Sequence, residues 1–140
     1  MRLVEEKDPP TAVRYLTALR AGLEAILCRG EEEGYTVGWV LQEVLSGRLR
    51  FYHVVEGSEP KGFVLALVDA RRPRRPCFYV WGIAVDSCRW HEQMAEEIER
   101  IARETGCAAV AARSPRPGWA RWARKLGWQP GAVEYTKELA

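Results

Sequence analysis

One stretch constrains the fold more than any other. Residues 77–106 read CFYVWGIAVDSCRWHEQMAEEIERIARETG. An unbroken apolar run, Cys77 to Val85, meets Asp86 and Ser87 and gives way to a segment of helical period, Arg89 to Thr105. A continuous apolar run bounded by turn signals reads as a strand covered on both faces. In the segment after it, Trp90, Met94, Ile98 and Ile101 recur at spacings of three and four and share one helix face. A buried strand feeding an amphipathic helix points to a layered α/β sheet. The free N–H groups of such a helix's first turn are where these sheets often hold an anion.

The remaining elements follow from the same periods. Asp8-Pro9-Pro10-Thr11 reads as a helix start, with Asp8 or Thr11 as cap and proline in the first turn. Val13, Leu16, Leu19, Leu23, Ile26 and Leu27 mark one apolar face of a single helix reaching about Cys28. Gly30 to Gly34 is a solvated turn, and Thr36 caps a shorter helix with Trp39, Val40 and Val44 inward, ending near Gly47. Leu49 to Glu56 alternates as a strand, Gly57 to Gly62 supplies turn residues, and Phe63 to Val68 returns as the other arm of an antiparallel hairpin. Arg71 to Pro76 is a loop, since its prolines cannot serve a central ladder. After Gly106, Cys107 to Ala112 is a second buried strand. Pro117 starts a short helix with Trp119, Trp122 and Leu126 inward, Gly127 closes it, and Ala132 to Leu139 alternates as a last strand. The expected order is α-α-β-β-β-α-β-α-β: an α/β (α+β) mixed sheet with helices on both faces, one domain over residues 1–140.

Composition removes whole classes. A net charge of +2 does not by itself imply nucleic-acid binding. No apolar run approaches the roughly 20 residues that span a bilayer, and the N-terminus MRLVEEKDPP lacks a signal peptide's apolar core. Synthesis in a cytoplasm is expected, with no membrane partner. Cys28, Cys77, Cys88 and Cys107 form no CxxC pair, and His53 and His91 lie far apart, so buried free thiols are expected and no metal site.

The element order, with KLGWQPGAVEYTKEL closing the chain, resembles the GNAT superfamily of N-acetyltransferases. Lys125-Leu126-Gly127-Trp128 matches that family's lysine–hydrophobic–glycine–aromatic turn, and Lys137-Glu138-Leu139 its terminal lysine–x–leucine. The resemblance implies an opening between the parallel strands at 77–85 and 107–112, where acetyl-coenzyme A lies in the family. It also implies a glycine-rich loop that cradles the pyrophosphate at the next helix's start. This chain departs there. Ser87-Cys88-Arg89-Trp90-His91-Glu92-Gln93-Met94 contains no glycine, Trp90 is bulky, and Glu92 is acidic. The family often places a tyrosine general acid four residues before the closing glycine; here that position is Ala123. No carboxylate precedes Asp86 in the strand to act as base. Within the superfamily, Asp86, Trp90, Gly106-Cys107 and Gly118-Trp119-Ala120-Arg121 resemble small GNAT-like proteins of tailed bacteriophages.

The expected function is therefore a GNAT-fold protein without transferase chemistry: a protein-binding or structural component of a phage virion or its assembly. Its partners are other virion or assembly proteins, with self-association left open. On this reading no catalytic residue and no cofactor is expected. The alternative is a working N-acyltransferase that holds acetyl-coenzyme A through main-chain contacts and arginines, with Ser87, Arg89 and His91 as contact residues. A further alternative is nucleic-acid contact through Arg71, Arg72, Arg74 and Arg75. Each has a plainer competitor. The arginine loop serves equally as a solvated hairpin tip, and Arg113, Arg116, Arg121, Arg124 and Lys125 as a solvated helix face. Trp39, Trp90, Trp119 and Trp122 read as core, Trp81 and Trp128 are less determined, and His53 reads as structural.

Overall fold

The computed structural model describes residues 1–29, 34–71, 75–85, 91–112, 119–131, 137 and 139, with backbone alone at Arg29, His91 and Trp119. Within them the chain runs β1 (Arg2–Glu6), α1 (Pro9–Ala18), α2 (Arg20–Arg29), α3 (Val37–Leu45), β2 (Arg50–Glu56), β3 (Glu59–Asp69), β4 (Cys77–Val85), α4 (His91–Glu104), β5 (Ala109–Ala112) and α5 (Trp119–Lys125). The strands form one mixed sheet in the order β1-β2-β3-β4-β5. The first three pairings are antiparallel and β4–β5 is parallel.

Helices cover both faces, as expected. On one face Met94, Ile98, Ile101 and Ala102 of α4 pack on Leu3, Tyr52, Val54, Val64, Ala66, Phe78 and Val80. On the other, Ala12, Leu16, Leu23, Val40 and Val44 of α1–α3 close over Phe51, Phe63 and Leu65. The side chains alternate between these two cores along β2 and β3, which is the period-two pattern at work. Thr36 caps α3, its hydroxyl oxygen accepting from Trp39 N–H at 3.1 Å. Gly106 ends the helical stretch at φ +81, where Cys107 N–H reaches back to the Ala102 carbonyl at 2.9 Å.

Four expectations need correction. First, the chain opens with a strand. RLVEE has two adjacent apolar residues and no alternation; it is a strand because β2 offers it an edge, pairing Arg2 with Val55 through Glu6 with Phe51. Second, the single first helix is two. Leu19 leaves helical geometry (φ −100, ψ 28), and the bend seats α2 directly on the sheet. A Cβ added at Gly22 would lie 3.1 Å from the Ala84 Cβ and 3.2 Å from the Phe63 ring, so glycine is what lets α2 approach β4. Leu19 is thereby turned outward, 40% exposed. Third, the hairpin turn is only Gly57-Ser58, and β3 begins at Glu59. Pro60 is tolerated because β3 pairs with β4 only from Gly62 onward. Fourth, the thiols are not all buried: Cys28 is exposed, and Cys77 and Cys107 are half-buried. The proposed last strand, residues 132–139, falls outside the described residues apart from 137 and 139, as do Arg89, Trp90 and Cys88.

Candidate functional site

The junction singled out by sequence begins in the C-terminal half of β4. Their ladder runs from Cys77–Ala109 to Val80–Ala112. From Trp81 to Val85, β4 has no β5 partner among the described residues. At the same point β4 carries a bulge. Leu65 faces Gly82 and Ala66 faces Val80, so Trp81 is the extra residue. The bulge shifts the side-chain phase. Phe78 and Val80 face α4, Trp81 and Gly82 both turn to the α1–α3 face, and Ile83 and Val85 face α4 again. Gly82 has to be small, since a Cβ there would meet Ile26 at 3.0 Å.

Trp81 meets Trp39 of α3 (centroids 5.8 Å) and Tyr35 (5.4 Å), which itself lies 4.5 Å from Trp39. Tyr35 is 38% exposed, and both tryptophans are half-buried. Trp39 and Trp81 therefore form the rim of a core rather than its centre. Sequence periodicity placed Trp39 inward, but a bulge has no periodic signal, so the pairing with Trp81 was not readable.

Beyond Val85 the backbone reaches α4 through residues 86–90, Asp-Ser-Cys-Arg-Trp. The candidate contacts Ser87 and Arg89 lie in this connection, outside the described residues. His91 opens α4, with only its backbone described. Glu92, in the first turn, is exposed and faces Lys125 of α5 at 3.8 Å. The Lys125 ammonium also sits 5.2 Å from the Trp122 ring. Ala123 occupies the middle of α5.

The arginine loop is only partly placed. Arg71 Nε and Nη2 donate to Asp69 Oδ1 and Oδ2 at 2.9 and 2.7 Å, a bidentate pair that spends its guanidinium locally. Arg75 is exposed, and Arg72 and Arg74 lie outside the described residues. Of the four, the structure thus places only Arg71 and Arg75. Of the second basic set, Arg121, Arg124 and Lys125 are exposed; Arg113 and Arg116 lie outside the described residues.

His53 has a partner that sequence reading missed. Its Nε2 lies 3.2 Å from Glu6 Oε2, and its ring stands edge-on to Tyr15 (4.6 Å) and Phe51 (4.9 Å). Glu6 belongs to the unforeseen β1, so nothing in the local sequence pointed to it. Among the described residues no group of His, Cys, Asp and Glu could hold a metal ion, and no helix is long and apolar enough to cross a membrane. Burial pushes the Cys77 thiol upward, aided by Asp69, and burial does the same at Cys107; neither is poised as a thiolate.

No protein-family model matches the chain, and no curated protein does. Solved structures do. A probable acetyltransferase superposes with a TM-score of 0.67 at 13% identity, covering 100% of this chain and 99% of that one. Aminoglycoside N-acetyltransferase AAC(6')-Iy in complex with CoA superposes at 0.63 with 16% identity, covering 99% and 95%. The chain has a GNAT-like fold. The same GNAT-like scaffold also matches a transcriptional regulator from Bacillus halodurans C-125, at 0.58 with 15% identity over 76% of this chain and 79% of that one. Likeness at this identity fixes architecture, not chemistry.

Acetyl-coenzyme A, which such a fold implies, can be tested against the groups that are present. A diphosphate needs clustered donors and close backbone approach. Among the described residues, the first turn of α4 presents a carboxylate, Glu92, with the Lys125 ammonium 3.8 Å from it. The five connecting residues contain no glycine. That connection lies outside the described residues, so the described part of the site is the first turn of α4 with Glu92.

Proposed function

We propose that this chain is a GNAT-fold protein that does not carry out acetyl transfer and acts by binding protein partners, as a component of a tailed-phage particle or its assembly. One observation carries the loss of chemistry. The strand–helix connection that should cradle a diphosphate is glycine-free, ends in Trp90, and leads into a first turn bearing Glu92. Ala123, where the family often has a tyrosine acid, supports the same reading. The phage assignment rests on the short motifs at Asp86 and Trp90, Gly106-Cys107 and Gly118 to Arg121.

A working N-acyltransferase is the second reading, and a specific feature favours it. The β4 bulge at Trp81 lies where an opening between β4 and β5 is expected for a ligand, and Trp81 to Val85 have no β5 partner among the described residues. Isothermal titration with acetyl-coenzyme A separates the two. The first reading expects no heat of binding at micromolar protein. Micromolar affinity that weakens in Arg89→Ala would establish the second and overturn the first. Nucleic-acid contact through the arginine loop is the third reading. It expects DNA affinity that falls steeply with salt, less steeply once Arg72 and Arg74 are neutralised.

A further inference from the structure

The outer edge of β1 is closed by side chains of α4. Leu3 N–H donates to Glu97 Oε1 at 3.1 Å, and the Leu3 carbonyl accepts from Arg100 Nη2 at 3.3 Å. Arg100 is itself fixed on both sides: its Nε donates to Glu97 Oε2 at 2.6 Å, and its Nη1 to the Glu104 carboxylate at 2.9 and 3.0 Å. Arg2 Nε lies 3.6 Å from Glu97 Oε1. Main-chain groups alternate in direction along an antiparallel strand, so Leu3 and Glu5 face away from the sheet while Arg2, Val4 and Glu6 face β2. Glu97 and Arg100 thus give Leu3 the acceptor and the donor that a neighbouring strand would give. An edge strand left open is a template for another strand, and proteins close such edges with charged side chains or covering elements.

We propose that the Glu97–Arg100 clamp guards a self-complementary edge, and that the occupant it excludes is β1 of a second copy of this chain. This inference goes beyond the functional reading above and does not depend on it. RLVEE laid antiparallel on itself about a two-fold axis at Val4 sets Arg2 opposite Glu6, Leu3 opposite Glu5 and Val4 opposite Val4. Both ends of the pairing then carry opposite charges, and Leu3 and Glu5 exchange two main-chain hydrogen bonds at each symmetric position. Val4 is 48% exposed and would meet its own copy. Beside it, on the same face, stands Tyr15, 44% exposed and packed on His53, the β2 partner of Val4. The charge pattern and the apolar face both suit self-pairing; what stands against it is that both Leu3 groups are already taken.

The test uses the full chain and light scattering after size exclusion. Glu97→Ala combined with Arg100→Ala opens the edge. The expected result is a shift from one chain's mass to two as concentration rises, in the variant and not in the parent protein. Adding Glu5→Pro removes an outward-facing N–H while leaving the β2-facing groups of β1 in place, and returns the variant to one chain's mass. A clamp-free chain that keeps its circular dichroism and stays single at every concentration overturns the proposal. So does a parent protein whose dimer is dissolved by Glu5→Pro, since its edge was never closed. If the double variant fails to fold, amide exchange on the parent decides. The clamp requires Leu3 N–H to exchange at least about tenfold more slowly than Glu5 N–H, and equal protection of the two overturns it.

Discussion

The edge strand β1 and the far half of β4 are held in different ways. At one end of the sheet β1 is a short strand whose outward Leu3 N–H and carbonyl are bonded to Glu97 and Arg100. Toward the other, β4 bulges at Trp81, and Trp81 to Val85 have no β5 partner among the described residues. The closed end is held by charged side chains from one helix. The half of β4 beyond the bulge, its far half or divergent end, is covered by apolar packing on both faces, Ile83 and Val85 toward α4 and Trp81 toward α3. Hydrogen bonds that satisfy backbone groups define where a sheet ends. Beyond the bulge β4 keeps its ladder to β3, from Leu65–Gly82 to Gly62–Val85.

The largest expected effect tests the two halves of β4 against each other. Phe78 is 1% exposed, in the half that pairs with β5, and Phe78→Ala is expected to cost about 3–5 kcal/mol, read by urea unfolding. Ile83 is half-buried in the half without a β5 partner, and Ile83→Ala is expected to cost distinctly less. Equal losses would mean that the divergent half is packed as tightly as the paired one.

The closed end comes next. Glu97→Gln is expected to cost about 1–3 kcal/mol, because it weakens charge-assisted bonds to Arg100 and to Leu3 N–H. The Arg100 side chain, with help from the Leu3 N–H, holds the Glu97 carboxyl below its ordinary range. A carboxylate whose folded pKa is depressed adds stability that is present above the unfolded pKa, about 4.3. That stability is lost as the pH falls through the lower folded value. Parent stability should therefore decline on acidification below about pH 4 more steeply than that of Glu97→Gln. Parallel acid slopes in the two proteins would show that Glu97 is not the titrating clamp.

How much of this was legible follows from the range of each interaction. The strand Cys77–Val85, the helix His91–Glu104, the α3 cap at Thr36 and the pairing of β2 with β3 are written in local periods and turn residues and stand as read, whereas the hairpin's turn is shorter than read. β1 is not local. Its five residues become a strand only through β2, and with it went the Glu6 partner of His53 and the whole clamp. The bend at Leu19 likewise answers to Gly22 meeting Ala84 across the fold. The bulge at Trp81 is a register shift between two strands, and neither strand's sequence declares it alone. At the candidate site, the missing glycines and Ala123 were visible as residue types, whereas the local pairing of Arg71 with Asp69 needed coordinates.

A smaller effect concerns the rim of the divergent end. Tyr35 is 38% exposed and leans on Trp39 and Trp81. Tyr35→Ala is expected to cost about 0.5–1.5 kcal/mol, the usual worth of an aromatic contact beyond its buried area, and to change tryptophan emission as Trp39 and Trp81 gain solvent. An unchanged spectrum would place the indoles out of Tyr35's cover.

The smallest effect bears on function most directly. Glu92 and Lys125 are both 65% exposed and 3.8 Å apart, a geometry in which screening and side-chain entropy cancel most of the attraction. Glu92→Gln should change stability by about 0.5 kcal/mol or less. It nevertheless removes the carboxylate from the first turn of α4 and leaves Lys125 without its partner, so the helix start becomes more favourable to an anion. If charge alone keeps a diphosphate out, this variant should gain acetyl-coenzyme A affinity in titration while the parent shows none. If Trp90 and the glycine-free connection also keep it out, the variant stays silent, and the loss of the cradle is steric as well as electrostatic. A parent protein that already binds as well as Glu92→Gln would show that this carboxylate does not keep the ligand out and would favour the acyltransferase reading.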